Sequence, residues 1–378
     1  MSSTIQDALG GVIERVIAPM AVEVDRRGEF PSAGISALGE AGILGLISAP
    51  DVGGQGQGMR AAADVIERLA GVCGSTGMVV LMHYTATAAI EAHGPASVRS
   101  AIAGGKHLTT LAFSEVGSRS HFWSPVGTAT RVDGRVRLDA SKSWVTSAGH
   151  ADSYVWSSKP LAADGPMTLW LVPAGTPGVS QAGGFDGLGL RGNGSTPMTG
   201  AGALVAESTM LGADGAGLDI ALSAILPWFL VLSSAFSLGL MEAVTAETAK
   251  HLIATRFTHV DRSLAQQPTS RLDFARMRVE TDRTRALLSD TLAALEAGRA
   301  HAMQRVLEIK AAAGDAAIEV TELAMKLCGG AAFRKEVGVE RRFRDAQAAR
   351  VMAPTSDQLL DFVARLALGL PLLDEANA

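Results

Sequence analysis

The spacing of apolar residues changes period twice along this chain, and those two changes restrict the fold more than any motif does. Up to about residue 107 the spacing is helical. Ile5 to Val24 forms one run, and Phe30-Pro31-Ser32 opens a second that closes at Gly42. Further runs cover Met59 to Cys73 and Met78 to His93. From Leu108 to about Val205, short runs rich in Val, Thr and Trp alternate with Gly, Pro and Asp. The runs are Leu108–Phe113, Gly127–Val132, Val136–Ala140, Ser153–Ser158 and Met167–Pro173. Asp133-Gly134 between two of them predicts a tight hairpin. From Gly215 the helical period returns, in Leu218–Phe257, Ser270–Gly298, Arg305–Cys328 and a shorter run from Thr355 to Leu368. Helical, then β, then helical predicts an α+β chain of three domains. These are an N-terminal helical domain (residues 1–107), a β domain (108–212) and a C-terminal helical bundle (213–378).

Composition narrows the function. Of 378 residues, 47% are hydrophobic and 19% charged, which excludes a disordered chain. The net charge of −5 leaves no basic surplus for a phosphate backbone, so no nucleic-acid partner is expected. Cys73 and Cys328 are too few for a metal cluster or a disulfide framework. They read as buried thiols in a reducing, cytoplasmic setting, and no metal site is expected. The first twenty residues lack a basic stretch followed by a long apolar run, so they do not read as a signal peptide. Leu218–Met241 is long enough to raise the question of a membrane span. Ser223, Ser233, Ser234 and Ser237 interrupt it, so it reads as a buried core helix and no membrane partner is expected.

Taken singly, the motifs are bland. Gly187-Leu188-Gly189-Leu190-Arg191-Gly192 fits G-x-G-x-x-G, but Asn193-Gly194-Ser195-Thr196-Pro197 cannot open a helix. It reads as a glycine-rich loop of the β domain. His121 is flanked by aromatics, an arrangement more often structural than catalytic. Ser141–Gly149, with Trp144 and Thr146, reads as a strand ending in a small-residue turn. Cys328-Gly329-Gly330 reads as a helix end with a glycine stop, and Arg341-Arg342-Phe343-Arg344-Asp345 as a solvated charged face.

Together and in order, the segments resemble the acyl-CoA dehydrogenase superfamily of flavoproteins over nearly the whole chain. Leu46–Gly56 is similar to the family's "pee-x-GG-x-G" loop, and Leu111–Glu115 with Gly117 and Ser120 to "A-x-TEP-x-x-GSD". Lys142–Asp152 resembles "K-x-WITNAG-x-AD", Leu327–Gly330 resembles "x-GG", and Glu340–Asp345 with Pro354–Asp357 resembles "VER-x-x-RDA…EGTSD". The resemblance implies a helical domain, a β-barrel domain and a four-helix bundle, assembled as a homo-oligomer, dimer or tetramer. It implies FAD, with FMN the weaker match. The cofactor-binding positions it implies are Phe113, Ser114, Ser120, Trp144 and Thr146. Arg256 and Gln267 are implied to be lent by a neighbouring subunit, and Gly329, Gly330, Thr355 and Asp357 to complete the dinucleotide contacts.

Two departures shape the expected chemistry. Removing an α-proton needs a placed general base. The segment that carries the family's Glu reads Met352-Ala353-Pro354-Thr355, and the alternative position on the long helix falls near Phe229. Neither residue titrates. The same helix reads Ile225–Leu232 without charge, so a larger and more hydrophobic pocket wall is expected. Phe122, Trp123, Tyr84, Trp228, Phe229 and Ala353 are the candidate substrate contacts. The losses match the monooxygenase branch of the superfamily, of the dibenzothiophene monooxygenase, isobutylamine N-hydroxylase and indole hydroxylase type. The expectation is a two-component monooxygenase that takes reduced flavin from a separate reductase. It would hydroxylate a hydrophobic, aromatic or heteroaromatic small molecule with O2 through a C4a-(hydro)peroxyflavin. His121, Ser120 and His83 are its candidate catalytic residues. The alternatives are an FAD-dependent acyl-thioester dehydrogenase with a relocated base, such as Glu242 or Asp219, and a non-catalytic descendant of the fold.

Overall fold

The computed structural model describes residues 2–118 and 121–373. The first helical run is α1 (Ser3–Val12) and α2 (Ala18–Arg27), joined by a π-helical turn at Ile13–Ile17. After it come α3 (Ser32–Glu40), α4 (Met59–Val72), α5 (Gly74–His93) and α6 (Ala96–Ala103). Helix α5 is buried on nearly every side, so its sequence shows no polar face.

The middle of the chain forms two four-stranded sheets. One contains β2 (Thr128–Val132), β3 (Arg135–Val145), β6 (Val179–Gln181) and β7 (Thr196–Val205), all antiparallel in the order β2-β3-β7-β6. Asp133 and Gly134, both at positive φ, turn β2 into β3. The other sheet runs in the order β1-β4-β5-β8, where β1 is Thr109–Ala112, β4 Ser153–Ser158, β5 Thr168–Pro173 and β8 Met210–Leu211. Strands β1 and β4 are parallel, α5 packs against β1, and every residue of β4 is buried.

Asp214 ties the end of this sheet to the loop before β5. It accepts backbone N–H bonds from Leu161, Ala162 and Ala163, each at 2.9 Å, and the Thr168 hydroxyl at 2.6 Å. Burial pushes its carboxyl up, but the Thr168 hydroxyl and the three amides outweigh that and bring it down to about 2. A carboxyl depressed on folding stabilises the fold above its ordinary value of 3.8, and that contribution is lost as pH falls towards 2. Urea midpoints of Asp214→Asn are therefore expected to lie below wild type at pH 6 and to converge with it by about pH 2.

The C-terminal part begins with α7 (Gly217–Ile220), a second π-helical turn at Ala221–Ile225 and α8 (Leu226–Ala254). This continuous helix is apolar and long enough to cross a membrane by length and composition. It is instead mostly buried, with α4 on one side and α10 on the other. A small hairpin, β9 (Arg256–Phe257) and β10 (Arg262–Ser263), leads to α9 (Pro268–Glu296) and α10 (Ala302–Phe333). Gly329, at φ 51°, breaks α10, and the helix resumes to Phe333 rather than stopping there. Three short helices, α11 (Val339–Ala346), α12 (Ala348–Val351) and α13 (Ser356–Ala367), fold back onto α10.

Candidate active site

A cavity of about 590 Å³ opens where the three parts meet. Its apolar wall comes from two helices. Met78 and Met82, one turn apart, face it from α5, and Ala221, Ile225 and Phe229 form a ridge of three residues at i, i+4 spacing along the π-helical turn and α8. The π-helical turn lies at the wall, where such insertions often mark functional sites. Leu111, Phe113 and Ser114 enter from the end of β1, and Phe122 from the following loop. Strand β3 contributes Ser143 and Trp144, and Thr146 lies just beyond it. The Trp144 side chain is 66% exposed although it lines the cavity, and no aromatic ring packs on it among the described residues. The Thr146 hydroxyl is 3.1 Å from that of Ser195, which also lines the wall. The last side is the segment from Ala348 to Pro354, with Ala353 on the wall.

A buried ion pair sits behind β3. The Lys142 ammonium donates to the Glu115 carboxylate at 2.6 Å and to the carbonyl and hydroxyl of Ser157 at 2.7 and 2.9 Å. Burial pushes Lys142 down to about 8, against the pull of Glu115. The second Glu115 oxygen accepts the Val126 and Gly127 N–H groups at 2.5 and 2.7 Å. Glu115 is the carboxylate among the described lining residues, and both its oxygens are engaged.

The glycine-rich loop at 187–192 precedes β7 and caps the cavity. Gly189 lies so close to α11 that a Cβ there would sit 2.3 Å from the Arg344 carbonyl oxygen. The Leu190 N–H donates to the Asp345 carboxylate at 2.6 Å, and Arg344 forms a fork with Asp25 of α2 at 2.9 and 2.6 Å. Burial pushes Asp345 up to about 6, despite that amide. The run Arg341–Asp345 is therefore not the solvated face expected of it. Arg342 and Asp345 are buried, because α11 joins the loop to α2 and α8.

The expected site residues divide accordingly. Phe113, Ser114, Trp144, Thr146, Phe122, Phe229 and Ala353 all line the cavity. His83 and Tyr84 do not. They point away from the Met78–Met82 face of α5, where the His83 ring bonds the Leu44 carbonyl and the Thr109 N–H, and Tyr84 donates to the Ile43 carbonyl. Burial pushes His83 down to about 4, so its ring is neutral near pH 7 and braces β1 against α5. His121 is exposed and lies off the cavity, with its ring 4.9 Å from that of Trp123. Trp123 is buried against Phe362 of α13, and Trp228 sits off the Ile225–Phe229 ridge. Ser120 lies outside the described residues.

Neither relocated base reaches the cavity. Glu242 is held by Arg278 and Arg285, which keep its carboxyl below its ordinary range, and Asp219 lies in α7 off the wall. Arg256, Gln267, Gly329, Gly330, Thr355 and Asp357 also lie off the cavity. Arg256 pairs with Asp261, and Thr355 caps α13. The sequence reading missed Met78, Met82, Ala221, Ser195 and Gln347. The i, i+4 spacing of Met78 and Met82 was the available signal for the first two.

The site therefore offers an open indole face, a hydroxyl pair and an apolar chamber, and these suit the ring end of a flavin and a hydrophobic reactant. Known proteins agree with the fold. The acyl-CoA dehydrogenase N-terminal, middle and C-terminal domain models match residues 2–103, 110–202 and 215–368 in that order. The chain belongs to the acyl-CoA dehydrogenase superfamily. The short-chain specific acyl-CoA dehydrogenase of Clostridium acetobutylicum is 25% identical over 356 residues, covering 91% of this chain and 92% of that protein. Butyryl-CoA dehydrogenase from Megasphaera elsdenii has a similar structure, with a TM-score of 0.90 at 22% identity over 97% of this chain and 99% of that one. The FAD complex of PigA has a TM-score of 0.88 at 18% identity, over 98% of each chain. The sequence relatives are named as acyl-CoA dehydrogenases, which overturns the expectation of a two-component monooxygenase. The losses at Ala353 and Phe229 that prompted it are local changes in a chain that otherwise follows the dehydrogenases.

Proposed function

We propose that this protein is an FAD-dependent dehydrogenase of hydrophobic acyl thioesters. The observation that carries the reading is the exposed Trp144 indole on the wall of the same apolar cavity as Ala353, in a chain that matches all three dehydrogenase domains. Bound FAD supplies the two-electron acceptor that takes the β-hydrogen as hydride while the α-hydrogen leaves as a proton. Trp144 would back the ring, and the Thr146–Ser195 hydroxyl pair and Ser114 would offer it hydrogen bonds. Gly329, Gly330, Thr355 and Asp357 would hold the rest of the dinucleotide, with Arg256 and Gln267 contributed by a second copy, as the family resemblance implies.

Met78, Met82, Ile225 and Phe229 form the apolar wall along which the acyl chain would lie. Ala353 and Phe229 accept no proton, and Glu115 is engaged elsewhere. The α-proton therefore passes to water or to a basic group of the substrate, and turnover is slow unless that C–H bond is already acidic.

Trp144→Ala is expected to weaken FAD binding about 3- to 10-fold in a fluorescence titration, the loss of one aromatic stacking contact. The function is tested with loaded protein, an electron-accepting dye and butyryl-, octanoyl- or 3-phenylpropionyl-CoA, followed by mass spectrometry. The expected product is lighter than its substrate by two hydrogens. Protein that holds FAD but leaves every thioester unchanged would overturn the reading and favour a non-catalytic descendant.

A further inference from the structure

The turn that brings Ala353 to the cavity is fastened from behind by a buried cation. Lys310, in the first third of α10, is 2% exposed. Its ammonium donates to the Pro354 carbonyl at 2.7 Å and the Met352 carbonyl at 3.1 Å. These carbonyls flank Ala353 on both sides. No carboxylate pairs with Lys310 among the described residues, and Asp315 further along α10 is engaged by Arg350 of α12. Burial pushes the ammonium down to about 8. A buried ammonium without a counter-ion costs stability. An apolar residue would fill that place in the core at less cost, but it would take this donor from the buried Pro354 carbonyl and the part-buried Met352 carbonyl. Met352, Ala353 and Pro354 all line the cavity, whereas Lys310 does not touch it.

We propose that Lys310 is a positioning residue that sets the shape of the cavity wall by clamping the Met352–Pro354 turn. It acts on the substrate through Ala353 and its neighbours, so it governs how the acyl chain is seated rather than the bond-breaking step. This function for the clamp rests on the dehydrogenase reading above, but the clamp itself does not.

Two readouts on full-length, FAD-loaded protein test it. The first is hydrogen–deuterium exchange of the peptide spanning residues 350–358 at pH 7. Lys310→Met is expected to speed exchange there at least tenfold, with peptides of α4 and α9 unchanged and Lys310→Arg close to wild type. The second is steady-state kinetics with octanoyl-CoA. Lys310→Met is expected to raise KM about tenfold with kcat within twofold, and Lys310→Arg to restore KM. Uniform loosening of all peptides, or wild-type exchange at 350–358, would overturn the proposal and leave Lys310 a plain core residue. If wild-type protein turns over no thioester, the dehydrogenase reading fails, and the exchange experiment still decides the clamp.

Discussion

Ala353→Glu is expected to raise the rate at which an acyl thioester reduces the bound flavin by about 100-fold or more. A placed general base contributes roughly 10²- to 10⁴-fold to such a proton transfer. Ala353 lies on the wall, in a turn whose flanking carbonyls are fixed by Lys310, so a longer side chain there projects from a held backbone. The wall it shares is mostly apolar, with Met352, Phe229 and Ile225 among its residues. An apolar setting raises a carboxyl's affinity for a proton, which makes the introduced glutamate a stronger base. Single-turnover reduction under anaerobic conditions, with a saturating thioester, measures the effect. Equal rates in the two proteins would mean that the α-proton already has an acceptor in the cavity, or that Cα does not lie near this turn.

Lys142→Met is expected to destabilise the fold by about 3–5 kcal/mol, the cost of leaving one member of a buried ion pair without its partner. The two side chains are 0% and 2% exposed, so water cannot replace the lost ammonium on Glu115. Two backbone amides continue to hold the other Glu115 oxygen, which places the effect within that range rather than above it. The damage reaches the site as well. Lys142 is two residues before Trp144 on β3, and Glu115 anchors the loop that carries Phe122. Urea unfolding of the flavin-free protein gives the stability change, and FAD titration gives the second effect. A double variant with Glu115→Gln is expected to recover part of the lost stability, because it removes the stranded charge.

Much of this was legible in the sequence. The helical runs stand out because each buries a face, and Asp133-Gly134 marks its hairpin because both residues tolerate positive φ. The order of motifs led to the right superfamily, and residues of three of them line the cavity. Other features were hidden for physical reasons. Strand β7 contains Pro197, Gly200 and Gly202, so it does not read as a strand, and its pairing with β3 supplies what its composition does not. Helix α5 is buried on nearly every side, so the i, i+4 spacing of Met78 and Met82 was the one mark in its sequence of the face that meets the cavity. The charges of α11 look solvated until Asp25, Glu247 and the Leu190 amide are brought against them by distant parts of the chain. Lys310 reads as an ordinary surface lysine in a helix, since its two acceptors lie more than forty residues away and are backbone atoms.

The chemistry was misjudged for a related reason. Two missing carboxylates were read as a change of reaction, whereas the sequence relatives keep the name of dehydrogenase. The geometry admits both facts, since an apolar chamber with an indole wall can seat an acyl chain without offering it a base.

The most direct measurement is anaerobic mixing of the FAD-loaded protein with a hydrophobic acyl thioester whose α-hydrogen is acidified by an aryl group on Cα, such as 2-(4-nitrophenyl)butanoyl-CoA, while the oxidised-flavin absorbance is followed. A slow loss of that absorbance, dependent on the thioester and accelerated in Ala353→Glu, is the result predicted here. Full retention of the oxidised spectrum in both proteins, with the thioester demonstrably bound, would contradict it.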